Sequence, residues 1–412
     1  MNSASQEKAI SGSLTMGMIS IAALLFFLPF HETAVVRDVL FATTLLAFVV
    51  LIGVERQKGG QRFYAPSKLL TALLVASFLW GLVTLVDAID PGYSSKALLR
   101  KMVKPYLLFF MAYSLFVAVS GQPEKFKWVF YPLVAAVLIM SVYGCYQFYQ
   151  SPFPVHNRVA GFTGAFYRLA IFLVMAIPIV VAVGWSSPSR WRWPVMLVIC
   201  ISIAALIFTF TRSAWLAVLM EAIVWTGISG GAIKRLIVAA TVLVLFSLAV
   251  MSYHSFLPKG LVIHGTKSEQ ARLEAISKAV DIIGKHPLTG IGYGKKTFSM
   301  YSDDIYAQHA HNLFLNTAVE MGIPGLLLLA IIFFVVVRDF VRGLAKGMGH
   351  EKRLLLAGIF ASLVGFLTLN MFDYMYHGWP GQMLWILIGL GYALMTNIEK
   401  TSVLKPEQLT GT

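Results

Sequence analysis

The chain has 412 residues, 58% of them hydrophobic and 13% charged, with a formal net charge of +14 and a mean hydropathy of +0.75. One soluble core cannot hide that much apolar surface, so lipid must be the solvent for much of it. Cys145 and Cys200 both fall in apolar runs, which argues against a disulfide framework, and with no soluble domain to present a basic face the positive charge suits topology and anionic lipid rather than nucleic acid.

In chain order, about twelve apolar runs have the length of a membrane-spanning helix, the element that satisfies its own backbone in lipid. They cover 14–30, 38–54, 69–86, 103–119, 128–149, 167–184, 194–210, 213–228, 236–253, 324–337, 354–371 and 382–395. The first lacks a small-residue cleavage site and is expected to stay as an anchor. The seventh and eighth form one stretch too long for a single span, and "TRSA" at 211–214 predicts a tight turn at Arg212. The basic segments "ERQKGGQRFYAPSK", "SRWR", "KR" at 234–235 and "RDFVRGLAKGMGHEKR" fall on one side, which makes both termini cytoplasmic. One outside segment, "SSKALLRKMVK" with Lys96, Arg100, Lys101 and Lys104, breaks that pattern. The expected fold is an all-α polytopic membrane protein. Spans one to nine occupy residues 1–253 and one large outside loop 254–311. A short boundary helix and the last three spans follow in 312–400, then a cytoplasmic tail, 401–412.

A loop as long as 254–311 in a compact fold usually carries function. Within it, "TKSEQARLEAISKAVDIIGKHP" reads as a helix: Thr266 and Glu269 form a capping box, Leu273, Ile276, Val280 and Ile283 repeat at helical spacing, and Gly284 and Pro287 stop it. Arg272 then falls in the first turn, the unfavourable end for a cation. A guanidinium beside a helix N-terminus makes a site for an anion such as phosphate; pairing with Glu269 or Glu274 is the plainer alternative. The following "HPLTGIGYG" has Gly290, Gly292 and Gly294 for close approach or a tight turn, without the spacing of a dinucleotide site.

Next comes "HNLFLNTAVEMGIPG", where Gly322 and Pro324 predict a kink or break, with the true span after it. Before the break, Asn312, Asn316 and Glu320 recur every four residues on one stripe, and His311 stands at the start. The segment therefore reads as a short boundary helix, polar on one side, in front of a lipid-solvated one.

These residues resemble the signature of the bacterial O-antigen ligase and polymerase superfamily: a His, an amide or Ser residue, nine positions, then Gly-x-x, met here by His311, Asn312 and Gly322. "ARLEAISKAVDIIGKHPLTGIGYG" is similar to the same family's Arg segment and glycine-rich run, and "TRSAW" at 211–215 to its Arg-containing turn. "NRVAGFTGAFYRLA" at 157–170 is similar to an Arg-x-x-Gly segment, with Ala165-Phe166 where the family often has Pro-Asn. The resemblance spans roughly residues 150 to 375. It implies a C-type glycosyltransferase fold, independent of metal and of any other cofactor, with its site on the periplasmic face of a Gram-negative inner membrane. The implied reaction moves a glycan from undecaprenyl-diphosphate-linked O-antigen to a sugar hydroxyl of lipid A–core. In that reaction His311 is the natural base and Arg158, Arg212 and Arg272 are suited to the diphosphate, with Lys101 and Lys104 behind them; Arg168, in the Arg-x-x-Gly segment, is a secondary candidate.

Secondary candidates are Asn312, Glu221 as a carboxylate inside a span, and His377 with Asp373 in the last outside loop, "FDYMYHGWPG", whose aromatics read as interfacial anchors. His309 reads as a loop histidine. A metal site built from "HAH" with Asp303 and Asp304 ranks low. Rival functions are an O-antigen polymerase, a twelve-span secondary transporter, and a passive partner in an envelope complex.

Overall fold

The computed structural model describes residues 3–57, 66–150, 158–229, 259–302 and 309–396. The predicted ninth run, the tail 401–412, and Asp303 and Asp304 lie outside them. The described residues form helices without a sheet: α1 (Ser3–Phe27), α2 (Ala34–Gln57), α3 (Lys68–Val83), α4 (Pro91–Leu98), a π-helical turn (Leu99–Val103) and α5 (Lys104–Val117). There follow α6 (Pro123–Lys127), α7 (Tyr131–Gln150), α8 (Phe166–Trp185), α9 (Arg192–Phe208) and α10 (Arg212–Ser229). The last five are α11 (Lys259–Lys285), α12 (Lys296–Ser302), α13 (Leu313–Ala345), α14 (His350–Asn370) and α15 (Trp379–Met395).

Among the described residues, seven segments are long and apolar enough to cross a membrane, and α3 and α15 are shorter apolar helices. The spans of α8 and α14 are each 78% buried, whereas those of α2 and α9 are only 17% buried. Because lipid tails are as apolar as leucine, an exposed apolar face is stable there; α8 and α14 form the centre and α2 and α9 the lipid-facing rim. Close packing holds the centre: Gly358 of α14 lies against the Pro178 carbonyl of α8, and the Ser362 hydroxyl donates to the Met175 carbonyl at 2.6 Å.

The turn predicted at Arg212 is present. Residues 209–211 separate α9 from α10, and Phe210 there has φ 52°. The break in α13 is also present: Gly322 has φ 69° and ψ −176° inside an otherwise helical run. The groups freed by the break find partners. The Met321 carbonyl accepts from Trp80 Nε1 at 2.9 Å, and the glycine-rich loop bonds on both sides of it, Ile291 N to the Val319 carbonyl and Ile323 N to the Pro287 carbonyl. Backbone at membrane depth must be paired in this way.

The loop helix differs from its prediction. α11 begins at Lys259, so Thr266 is interior rather than a cap, and Arg272 sits almost four turns in rather than in the first turn. The helix-terminus argument for Arg272 therefore fails. The apolar stripe is also wrong in part: Leu273 and Val280 are 67% and 57% exposed, while Ala275, Ala279 and Ile282 are buried.

Candidate active site

Asn312 sets the geometry of the first histidine motif. Its Oδ1 accepts from Phe314 N and Leu315 N at 2.9 and 3.0 Å, an N-cap of α13. Its Nδ2 donates to the Met371 carbonyl at 2.9 Å. One side chain thus starts α13 and ties it to the end of α14, bringing the 371–378 loop beside residue 311. Asn312 is structural in this arrangement.

His311 has φ 50°, a left-handed conformation unusual for a residue other than glycine and of the kind found where a site dictates backbone shape. Its Nδ1 faces Asp373 Oδ1 at 3.6 Å. A proton on Nδ1, toward the carboxylate, leaves the Nε2 lone pair outward, the tautomer a base needs. Burial pushes the Asp373 carboxyl up, but the facing His311 ring and the charge His309 can carry outweigh it and hold Asp373 below the usual carboxylate range. Asp373 is therefore an anion against His311.

His309 is not an ordinary loop histidine. It is 7% exposed and its ring lies 4.3 Å from that of His311, edge to face. Its Nδ1 accepts from His311 N at 3.3 Å. Burial first, then the positive charges of Lys295 and His311, lower its pKa to about 3, so it is neutral at physiological pH. His309, His311 and Asp373 each offer one ligand atom, all within 4.8 Å of one another, and so could hold a metal ion. The low-ranked metal motif thus reappears with Asp373 as its carboxylate.

Behind this cluster lies a buried network centred on Glu320, 1% exposed. Its Oε1 accepts from Asn316 Nδ2 at 2.6 Å and from the Tyr374 hydroxyl at 2.8 Å; its Oε2 accepts from Gly294 N at 3.0 Å. Since Tyr374 gives its proton to Glu320, His377 Nε2, 2.8 Å from that oxygen, is the donor to it. Burial, and then Lys101 and Lys295, push the His377 pKa well below its ordinary value. His377 is thus a neutral member of a buried network. Tyr374, Tyr376 and Trp379 are 3%, 6% and 8% exposed, so they pack inside and do not act as interfacial anchors.

The cations gather at the same end of the bundle. Arg212 opens α10. The Arg158 guanidinium stacks on Phe166 at 4.5 Å, and its pKa is lowered by burial, then by the charges of Arg212 and Arg272. The three arginines, remote in sequence, are thus electrostatic neighbours. Lys101, Lys104 and Arg168 line a separate cavity with Arg37 and Lys295, two cations the sequence reading did not single out. Glu221 lies elsewhere: it is 3% exposed, about 14 Å along α10 from Arg212, and packs on Gly365 of α14. Its carboxylate has no hydrogen-bond partner among the described residues.

No curated protein matches the chain significantly. A family model described as O-antigen ligase matches residues 195–330, about a third of the chain. That range holds Arg212, Arg272, Lys295, His311, Asn312 and Glu320, and leaves out Arg158, Lys101, Lys104 and Asp373. Residues 195–330, which carry the histidine and two of the arginine segments, are thus similar to the O-antigen ligase family.

Proposed function

We propose that the protein transfers a glycan from undecaprenyl-diphosphate-linked O-antigen to a sugar hydroxyl of lipid A–core, at the periplasmic face of the inner membrane and with both termini cytoplasmic. The facing pair His311 and Asp373 carries the reading, and it is supported by Arg158, on which Arg212 and Arg272 act electrostatically. Nε2 of His311 takes the acceptor hydroxyl proton as that oxygen attacks the sugar C1. The C1–oxygen bond to the diphosphate breaks with inversion, and the three guanidiniums stabilise the departing lipid diphosphate. Asp373 holds the His311 tautomer and stabilises the imidazolium as it forms. In this version the arginines supply the positive charge that a divalent ion would otherwise bring to the leaving diphosphate, and the reaction needs no metal.

The His309–His311–Asp373 cluster favours one other version, in which a transition metal sits on those ligands. Purified protein, stripped by chelator, is mixed with the lipid-linked donor and lipid A–core. Wild type is expected to transfer glycan, and His311→Ala and Arg272→Ala to lose it. Loss on chelation with rescue by zinc would establish the metal version. A donor glycan that lengthens while lipid A–core stays bare would make the protein a polymerase.

A further inference from the structure

A cavity of about 420 Å³ opens at the site end of the bundle and contains none of His311, Arg158, Arg212 or Arg272 among its lining residues. Its walls bring five cations, Arg37, Lys101, Lys104, Arg168 and Lys295, to one carboxylate, Asp38. That carboxylate is engaged by Lys104 at 2.6 Å. Like charges in its lining act on one another: Arg168 on Arg37, and Arg168 and Lys101 on Lys295. Holding these cations together with so little internal counter-charge is costly unless an anion completes the site.

We propose that this cavity is a second anion site, distinct from the Arg158–Arg212–Arg272 cluster, and that it seats the phosphorylated head of the acceptor glycolipid; this rests on the glycan-transfer reading above. The π-helical turn Leu99–Val103 lies between α4 and α5 and presents Lys101 to the same cavity, with Lys104 at the start of α5 beside it; such turns recur at functional sites. Tyr167 and Trp379 supply flat apolar walls suited to a sugar ring. Beside Arg37, on the outer side of α2, Val35 and Val39 are 77% and 56% exposed, an apolar face for acyl chains. The ligand is thus both anionic and lipidic. The volume suits a head group of one or two phosphorylated sugars, with the chains left in the bilayer. The donor carries a single diphosphate, for which the arginine cluster suffices, so two cation clusters at one end match two anionic substrates. Lys295 links the cavity to the His311–Asp373 pair, since the charge of Asp373 acts on it.

The test uses full-length protein in nanodiscs and native mass spectrometry. The probes are lipid A–core with its phosphates, the same lipid dephosphorylated, and inorganic phosphate as competitor. Wild type should retain the phosphorylated lipid at least tenfold better than the dephosphorylated one. Lys101→Ala with Arg168→Ala should erase that preference, Lys101→Arg with Arg168→Lys should restore it, and Arg158→Ala should leave it intact. In transfer assays the alanine pair should raise the acceptor KM about tenfold and leave the donor KM unchanged. A raised donor KM with unchanged acceptor KM would overturn the proposal, because the cavity would then hold the diphosphate. Equal retention of both lipids, or inorganic phosphate displacing the lipid at equal concentration, would overturn it as well. Selective retention without any transfer would uphold the anion site and sink the glycan-transfer reading alone.

Discussion

At the scale of single residues, His311 depends on groups that stand far from it in sequence. Asp373 faces it at 3.6 Å, and Asp373→Asn is expected to lower kcat by about 10²–10⁴-fold, because the amide neither fixes the tautomer nor stabilises the imidazolium. An unchanged kcat, measured with acceptor at saturation, would remove Asp373 from the mechanism. His309 gives a stability prediction with a definite sign. Its folded pKa, about 3, lies below the ordinary value of about 6.5, so between these values the unfolded chain binds the extra proton. Stability therefore falls as pH drops from about 6.5 toward 3. Thermal unfolding at pH 7 and pH 4.5 should show a larger drop in Tm for wild type than for His309→Gln; equal drops would refute it. The sequence marked His311 and the arginines because their types and local spacing carry the signal. Glu320 stood on the polar stripe already noticed, and its placement inside an apolar segment was reason enough to rank it with the site. Arg37 and Lys295 offered no such mark, since a lone cation near a span end is usually a topology signal.

At the scale of elements, the break in α13 organises the site. Gly322 has φ 69°, and a Cβ there would meet the Leu288 carbonyl. Gly322→Ala is expected to cost about 1–3 kcal/mol from strain alone and to displace the glycine-rich loop whose Gly294 N–H holds Glu320. The prediction is a lower Tm together with a loss of transfer of at least tenfold; a variant matching wild type in both would show that the break can be rebuilt without glycine. The break was legible because Gly and Pro are read locally. The start of α11 was not. Thr266 and Glu269 have the spacing of a capping box, yet glycine costs a helix only about 1 kcal/mol relative to alanine, and the helix extends N-terminally through Gly265 and Gly260. The exposed Leu273 and Val280 show the related difficulty: helical spacing identifies an apolar stripe, but which stripe is covered depends on what packs there.

At the scale of the whole molecule, the functional groups lie at one end of the bundle and a different anchor at the other. Lys127 is fully buried, donating to the Ser186 carbonyl at 2.8 Å and to Glu124 at 3.0 Å, with Glu351 at 3.8 Å. It joins the start of the α7 segment, the end of α8 and the start of α14. Lys127→Ala is expected to cost about 1.5–3 kcal/mol, the worth of charged hydrogen bonds, seen as a lower Tm with acceptor and donor KM unchanged. A shifted KM would mean that this end communicates with the site. The sequence by itself determined that the chain is helical and lipid-solvated, where α9 turns into α10, where α13 breaks, and which histidine and arginine segments resemble a known family. These follow from composition, local backbone preference and short-range spacing. Only the tertiary structure decided that Asp373 faces His311, that Glu320 ties three segments together, that Arg158, Arg212 and Arg272 are neighbours, and that five other cations share a cavity. Those relations depend on which helix ends meet, and helices packed in lipid are selected by shape and by satisfied polar groups, not by the apolar pattern that makes each one a span.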